Sequence, residues 1–145
     1  LILQGDTMQK LFKTDMLYAD QTFETSSDLG LLSKQEILAF FDQVDWYEQA
    51  ELADHEEFSP TLSVEDQDKK RLFWVAVIGN KTSIIFLVEA DIDIELRKKF
   101  LGLFSYRSRV DSITKELNQQ QARQFLELFM DQQDQRIYDL YIQKK

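Results

Sequence analysis

The chain contains no cysteine, one proline (Pro60), four glycines and a single histidine (His55). Without cysteine, disulfide scaffolds, thiolate metal centres, iron–sulfur clusters and cysteine nucleophiles are excluded. So few turn-forming residues argue against a sandwich of many short strands, which needs frequent tight turns. No apolar run approaches the ~20 residues that a membrane-spanning helix requires. The opening Leu1 to Thr7 lacks the basic n-region and long apolar stretch of a secretory signal. Met8 is a candidate natural start, with residues 1–7 a remnant ahead of it or disordered. Positive charge is the remaining scarcity: 17 Lys and Arg stand against 26 Asp and Glu, a formal charge of −9. That balance disfavours nonspecific binding to nucleic-acid phosphates and to an anionic membrane.

What is present is enough for one folded unit. The length of 145 residues fits a single domain of ordinary size. At 43% hydrophobic residues, with eleven Phe, five Tyr and two Trp, the chain can build a proper core. The acid is unevenly spread. Residues 33–68 hold eleven Asp or Glu and only Lys34 as a base, whereas residues 69–145 carry a local charge of +4. This concentration reads either as a well-solvated face or as a docking surface for a basic partner.

The expected organisation is a single α+β domain: a small antiparallel β-meander of three to four strands packed with helices, including a long C-terminal helix. Residues 8–19 read as a short helix or an edge strand, and residues 20–30 as a loop. Ser33 and Glu36 form a capping box that opens a helix over 33–53, with Ile37, Phe40, Phe41 and Val44 as its apolar stripe. Leu62 and Val64 alternate as in a half-buried strand. The apolar runs at 71–78 and 83–88, separated by turn residues 79–82, predict an antiparallel hairpin. From Asp93 the spacing of Leu96, Phe100, Leu103 and Phe104 suggests a short helix, with a strand at 99–106 as the alternative, and Val110, Ile113 and Leu117 are helix-like but short. Asn118, with Gln121 three positions on as a weaker capping-box partner, caps the longest element, residues 119–142, which as one helix would span about 36 Å.

Candidate chemistry is sparse, and no catalytic residue, cofactor or metal is assigned. His55 sits among Asp54, Glu56 and Glu57, but no second histidine lies four residues away, as a zinc protease helix needs, and no Gly-x-Ser-x-Gly elbow is present. Glu89, Asp91, Asp93 and Glu95 recur at every second position and would share one side of a continuing strand. Oxygen-only clusters of this kind can hold magnesium or calcium, although the spacing is not that of an EF-hand. Gly79-Asn80-Lys81-Thr82 lacks the first glycine of a phosphate loop and reads as a hairpin turn. Arg97, Lys98, Lys99, Arg107 and Arg109 form a basic cluster, read as pairing within the molecule or across a dimer.

Two features are sharper. On a helical projection of 33–53, Trp46 falls opposite the apolar stripe beside Asp42, Asp45 and Gln49, as an exposed aromatic anchor amid acids would. Glu48 and Glu51 fall on the core side, and Gln133 and Arg136 interrupt the C-terminal apolar stripe, so a buried Glu–Arg pair between the helices is one way to reconcile them. The resulting expectation is a cytoplasmic, non-enzymatic acidic interaction protein that binds a basic protein partner. No direct nucleic-acid or membrane contact is expected, and a homodimer is compatible. Trp46, Asp42, Asp45, Asp54, Glu56 and Glu57 are its expected contact residues. In size and acidity the chain resembles bacterial immunity proteins, which implies an inhibitor of a toxin or nuclease. Acidic secretion chaperones are similar in length and charge and give an alternative. A small enzyme using Glu48, Glu51 and His55 is the rival class.

Overall fold

A computed structural model describes residues 9–22, 24–53, 58–98 and 104–142; for residues 93–98 and 104–115 it describes the backbone alone. The described residues form an α+β fold with a six-stranded antiparallel sheet in the order β2-β1-β3-β4-β5-β6. The strands are β1 (Leu11–Leu17), β2 (Ser27–Ser33), β3 (Thr61–Asp66), β4 (Arg71–Gly79), β5 (Ile84–Lys98) and β6 (Phe104–Leu117). Four helices accompany them among the described residues: α1 (Lys34–Gln43), α2 (Trp46–Leu52), α3 (Gln119–Met130) and α4 (Asp134–Ile137). A π-helical turn, Tyr138–Ile142, follows α4. None of the described helices is long and apolar enough to cross a membrane.

The α+β class and the antiparallel sheet agree with the sequence; the strand count and the long terminal helix do not. Residues 11–17 are a strand, and the supposed loop at 20–30 already enters β2 at Ser27. The expected hairpin is present: Gly79 pairs with Ile84 and Phe73 with Ala90. In its turn, the Asn80 side chain accepts from the Thr82 and Ser83 amides. In place of the expected helix after Asp93, β5 continues to Lys98. Residues 99–103 lie outside the described residues, residues 104–106 are strand, in keeping with the alternative, and Val110, Ile113 and Leu117 belong to β6. Ile92, Ile94 and Leu96 alternate with Asp93 and Glu95, and this period of two prevailed over the looser helical spacing. The register places Asp93 opposite Arg109 and Glu95 opposite Arg107.

Both capping boxes form. Ser33 accepts from the Glu36 amide while Glu36 accepts from the Ser33 amide, and Asn118 and Gln121 do the same for α3. Each helix then ends earlier than its apolar stripe suggests. Val44 leaves α1 in an extended conformation, and the Asp45 carboxylate caps a new helix by accepting from the Glu48 amide. At the other end, Gln132 adopts the left-handed conformation (φ 57°). The Gln133 amide then bonds back to Leu128 O and the Gln132 amide to Phe129 O, a Schellman termination usually signalled by glycine.

The break at Val44-Asp45 reverses the expectation for Trp46. The ring is 1% exposed and packs against Phe41 and Phe86, with centroids 5.2 and 5.6 Å away. Its Nε1 donates to Phe41 O at 2.9 Å, so the polar handle is satisfied inside the core. Trp46 is therefore not an exposed interface anchor. The core it joins fills one face of the sheet: Phe12, Met16, Leu62, Val64, Phe73, Val75, Val77, Phe86, Val88 and Ile92 meet Ile37, Phe41, Phe125 and Phe129 from the helices.

The core also holds a buried ion cluster, but not the expected one. Glu48, Glu51, Gln133 and Arg136 are all exposed. Instead Arg71, 3% exposed, donates through Nη1 to Asp66 Oδ2 (2.9 Å), through Nε to Asp134 Oδ2 (3.1 Å) and through Nη2 to Phe129 O (3.0 Å). Its guanidinium lies 4.2 Å from the Phe129 ring centroid. Lys10 Nζ reaches the other Asp66 oxygen at 2.9 Å. Among the described residues, every buried side-chain polar atom has a partner. Burial by itself would raise the Asp66 carboxyl, but hydrogen bonds from Lys10, Arg71 and the Lys69 amide outweigh it and hold the group below the usual carboxylate range.

Two outcomes follow. Trp46→Ala should destabilise the protein by about 3–5 kcal/mol in a denaturant melt, because it empties a packed aromatic site. Asp66 has a depressed folded pKa, so its contribution is complete above the unfolded value near 3.9 and is lost as pH falls through the folded value. Asp66→Asn should therefore cost about 2 kcal/mol at neutral pH and flatten the fall in stability below about pH 4.

Candidate functional site on the open sheet face

The structure disperses the residues expected to form a contact surface. Asp42 is exposed but already held by Arg123, which donates through Nε and Nη2 at 2.7 and 2.9 Å. Those hydrogen bonds keep the Asp42 carboxyl below its ordinary range. Asp45 is exposed and serves as the cap of α2. Asp54, Glu56 and Glu57 lie outside the described residues, as does His55. Glu51 accepts from the Lys81 amide at 2.9 Å and stands at the β4–β5 turn, away from any described groove. No group of three acidic or histidine side chains suited to a metal ion occurs among the described residues.

A different surface has the character expected of Trp46. The helices cover one face of the sheet, and strand alternation sends the remaining side chains to the other. β4 presents Leu72, Trp74, Ala76 and Ile78 there; β5 presents Ile85, Leu87, Glu89 and Asp91. Leu72, Ile78 and Ile85 are each more than a third exposed, and Trp74 is partly exposed. Trp74 is directly opposite Glu89 on β5 and Ser63 on β3, with Asp15 one strand further along the same row. Glu65 pairs with Leu72 in the adjoining row. A shallow groove of about 230 Å³ runs between Leu72, Trp74, Glu89, Ala90 and Asp91.

Among the described residues the carboxylates here hold no cation, as is also true of other exposed acids such as Asp20, Glu48 and Asp139. Asp42, Asp66 and Asp134 each hold a cation within the chain. Among the described residues, Asp15, Glu65, Glu89 and Asp91 have none within ion-pair distance. The register brings bases to this face as well: Lys13 stands opposite Glu65, and on β6 Arg109 and Arg107 occupy the positions opposite Asp93 and Glu95. The result is an aromatic and aliphatic strip bordered by unneutralised acid, open to solvent.

Comparison with known proteins adds no assignment: no family model matches the chain, and no curated protein or solved structure is significantly similar to it.

Sequence reasoning missed Trp74 because the run Leu72 to Ile78 reads as a strand buried on both faces. A signal was present. The turn at 79–82 sets the hairpin register, which places Trp74 opposite Glu89 and apart from Phe73 and Val75. The two tryptophans should report this difference directly. In Trp46→Phe, which leaves Trp74, emission should be red-shifted and readily quenched by acrylamide. In Trp74→Phe, which leaves Trp46, emission should be blue-shifted and protected.

Proposed function

We propose that this chain is a non-enzymatic acidic interaction protein, an inhibitor or immunity-type protein that covers a basic protein such as a toxin or nuclease. Its contact surface is the open sheet face centred on Trp74. The observation that carries this reading is the partly exposed Trp74 set among carboxylates that hold no cation among the described residues. Large aromatic anchors within a polar border are the usual source of binding energy in protein interfaces. The net charge of −9 adds long-range attraction for a cationic partner and raises its rate of encounter. Of the residues the enzyme reading uses, Glu48 and Glu51 are exposed on α2 and line none of the described grooves, and His55 lies outside the described residues.

The test is affinity capture from the source cell with the wild type and Trp74→Ala in parallel, followed by kinetics with the purified partner. A basic protein retained by the wild type should bind Trp74→Ala more weakly by over ~1 kcal/mol. Its association rate should fall steeply as salt rises, since exposed charges are screened. An association rate indifferent to salt, or an affinity untouched by Trp74→Ala, would reject this surface.

A further inference from the structure

The protein contains an internal template for what the outer groove lacks. In the core, the Arg71 guanidinium lies over the Phe129 ring while Asp66 and Asp134 take its edges. One aromatic ring and two carboxylates thus enclose one guanidinium. The outer groove brings together an indole, Trp74, and two carboxylates, Glu89 and Asp91, beside the apolar wall of Leu72. The cation is missing: no described residue places a lysine or arginine within ion-pair distance of either acid.

Resting on the function proposed above, we propose that this groove is a subsite for one arginine side chain of the basic partner. Glu89 and Asp91 are two positions apart on β5, so their side chains leave the same face about 7 Å apart. A planar guanidinium has donors on separate edges and can bridge carboxylates at that separation, while its flat face lies on the indole. A lysine ammonium satisfies one carboxylate as a point charge and offers no plane to stack. Leu72 provides an apolar surface for the arginine's methylene stem, as such stems commonly pack while the charged head stays polar-bound. The wider acidic face attracts any cation; the groove discriminates between the two kinds.

Two peptides separate the ideas: one of alternating glycine and arginine, the other of alternating glycine and lysine, equal in length and charge. Binding is measured by calorimetry at low and moderate salt. The arginine peptide should bind roughly fivefold tighter than the lysine peptide. Trp74→Leu should abolish that preference while leaving salt-sensitive binding of both. Trp74→Tyr, which keeps a ring, should retain part of it. Glu89→Gln with Asp91→Asn should weaken both peptides, the arginine one more. Equal affinity for the two peptides, or a preference that survives Trp74→Leu, overturns the arginine subsite and leaves the acidic docking face standing. Binding of neither peptide, or binding indifferent to Trp74 and to both carboxylates, overturns the subsite and the docking face together.

Discussion

The Arg71 guanidinium is the constraint on which the rest of the structure hangs. A buried cation is tolerable only when its charge and its donors are met. Here they are met from three elements: Asp66 at the end of β3, Phe129 O at the end of α3, and Asp134 at the start of α4. Moving any of these segments by a residue would leave charge unpaired in the core. The cluster therefore fixes the β3–β4 register, in which Asp66 and Arg71 are partners, and pins the α3–α4 junction to the sheet. Arg71 is also the first residue of β4. With its side chain committed to the core, alternation sends Leu72 and Trp74 to the opposite face. The interior ion cluster and the exterior aromatic strip are two consequences of one strand's phase.

Much of the fold could be read from local chemistry. Ser33 with Glu36 and Asn118 with Gln121 place both capped helix starts, because a capping box satisfies specific amides wherever it stands. The hairpin at 79–82 follows from two apolar runs and a polar turn. What could not be read were the helix stops and one change of period. Val44-Asp45 and Gln132 end helices without glycine or proline, using a capping carboxylate and a left-handed glutamine. Their stability comes from tertiary packing, of Trp46 on Phe86 and of α4 on β5, which no short window reveals. After Asp93, helical and strand spacings compete in a sparse apolar pattern. The partners that decide it lie in a separate strand, β6, paired from Asp93 with Arg109 to Lys98 with Phe104.

A helical projection of the sequence puts an exposed tryptophan amid acids at Trp46 by carrying one helix through Val44-Asp45, whereas Trp46 is buried and Trp74 is the partly exposed tryptophan. A break of two residues rotates the second helix and turns that ring inward. The same motif, Trp74 with Glu89 and Asp91, is written across two strands instead of along one helix. It becomes visible only when hairpin register is combined with alternation. The charge statistics misled for a related reason. The segment 33–68 is the most acidic, yet several of its acids work inside the fold: Asp66 on Arg71, Asp42 on Arg123, Glu36 and Asp45 as caps. Density of charge along the chain is a poor guide to free charge on the surface.

The sheet's edges and its open face differ in what they offer to another chain. An exposed edge strand is an obvious template for pairing with another chain, and proteins commonly blunt it. Register breaks between Thr14 and Asp15 where β1 meets β2, and between Ala90 and Ile92 where β5 meets β6. β2 carries Gly30 in a left-handed conformation (φ 79°) next to that irregularity. β6, on the other side, carries Arg107, Arg109, Lys115 and Glu116 along its length. Both edges are thus irregular or charged, which disfavours strand addition. The open face is different: its rows run across four paired strands, β1, β3, β4 and β5, and their register holds Asp15, Ser63, Trp74 and Glu89 in line. Side chains on a paired sheet need little reordering to meet a partner, so less of the contact energy is lost to immobilising them. On this face the spacing of the Trp74 ring from the Glu89 carboxylate is set by the β4–β5 register, not by the conformation of a loop.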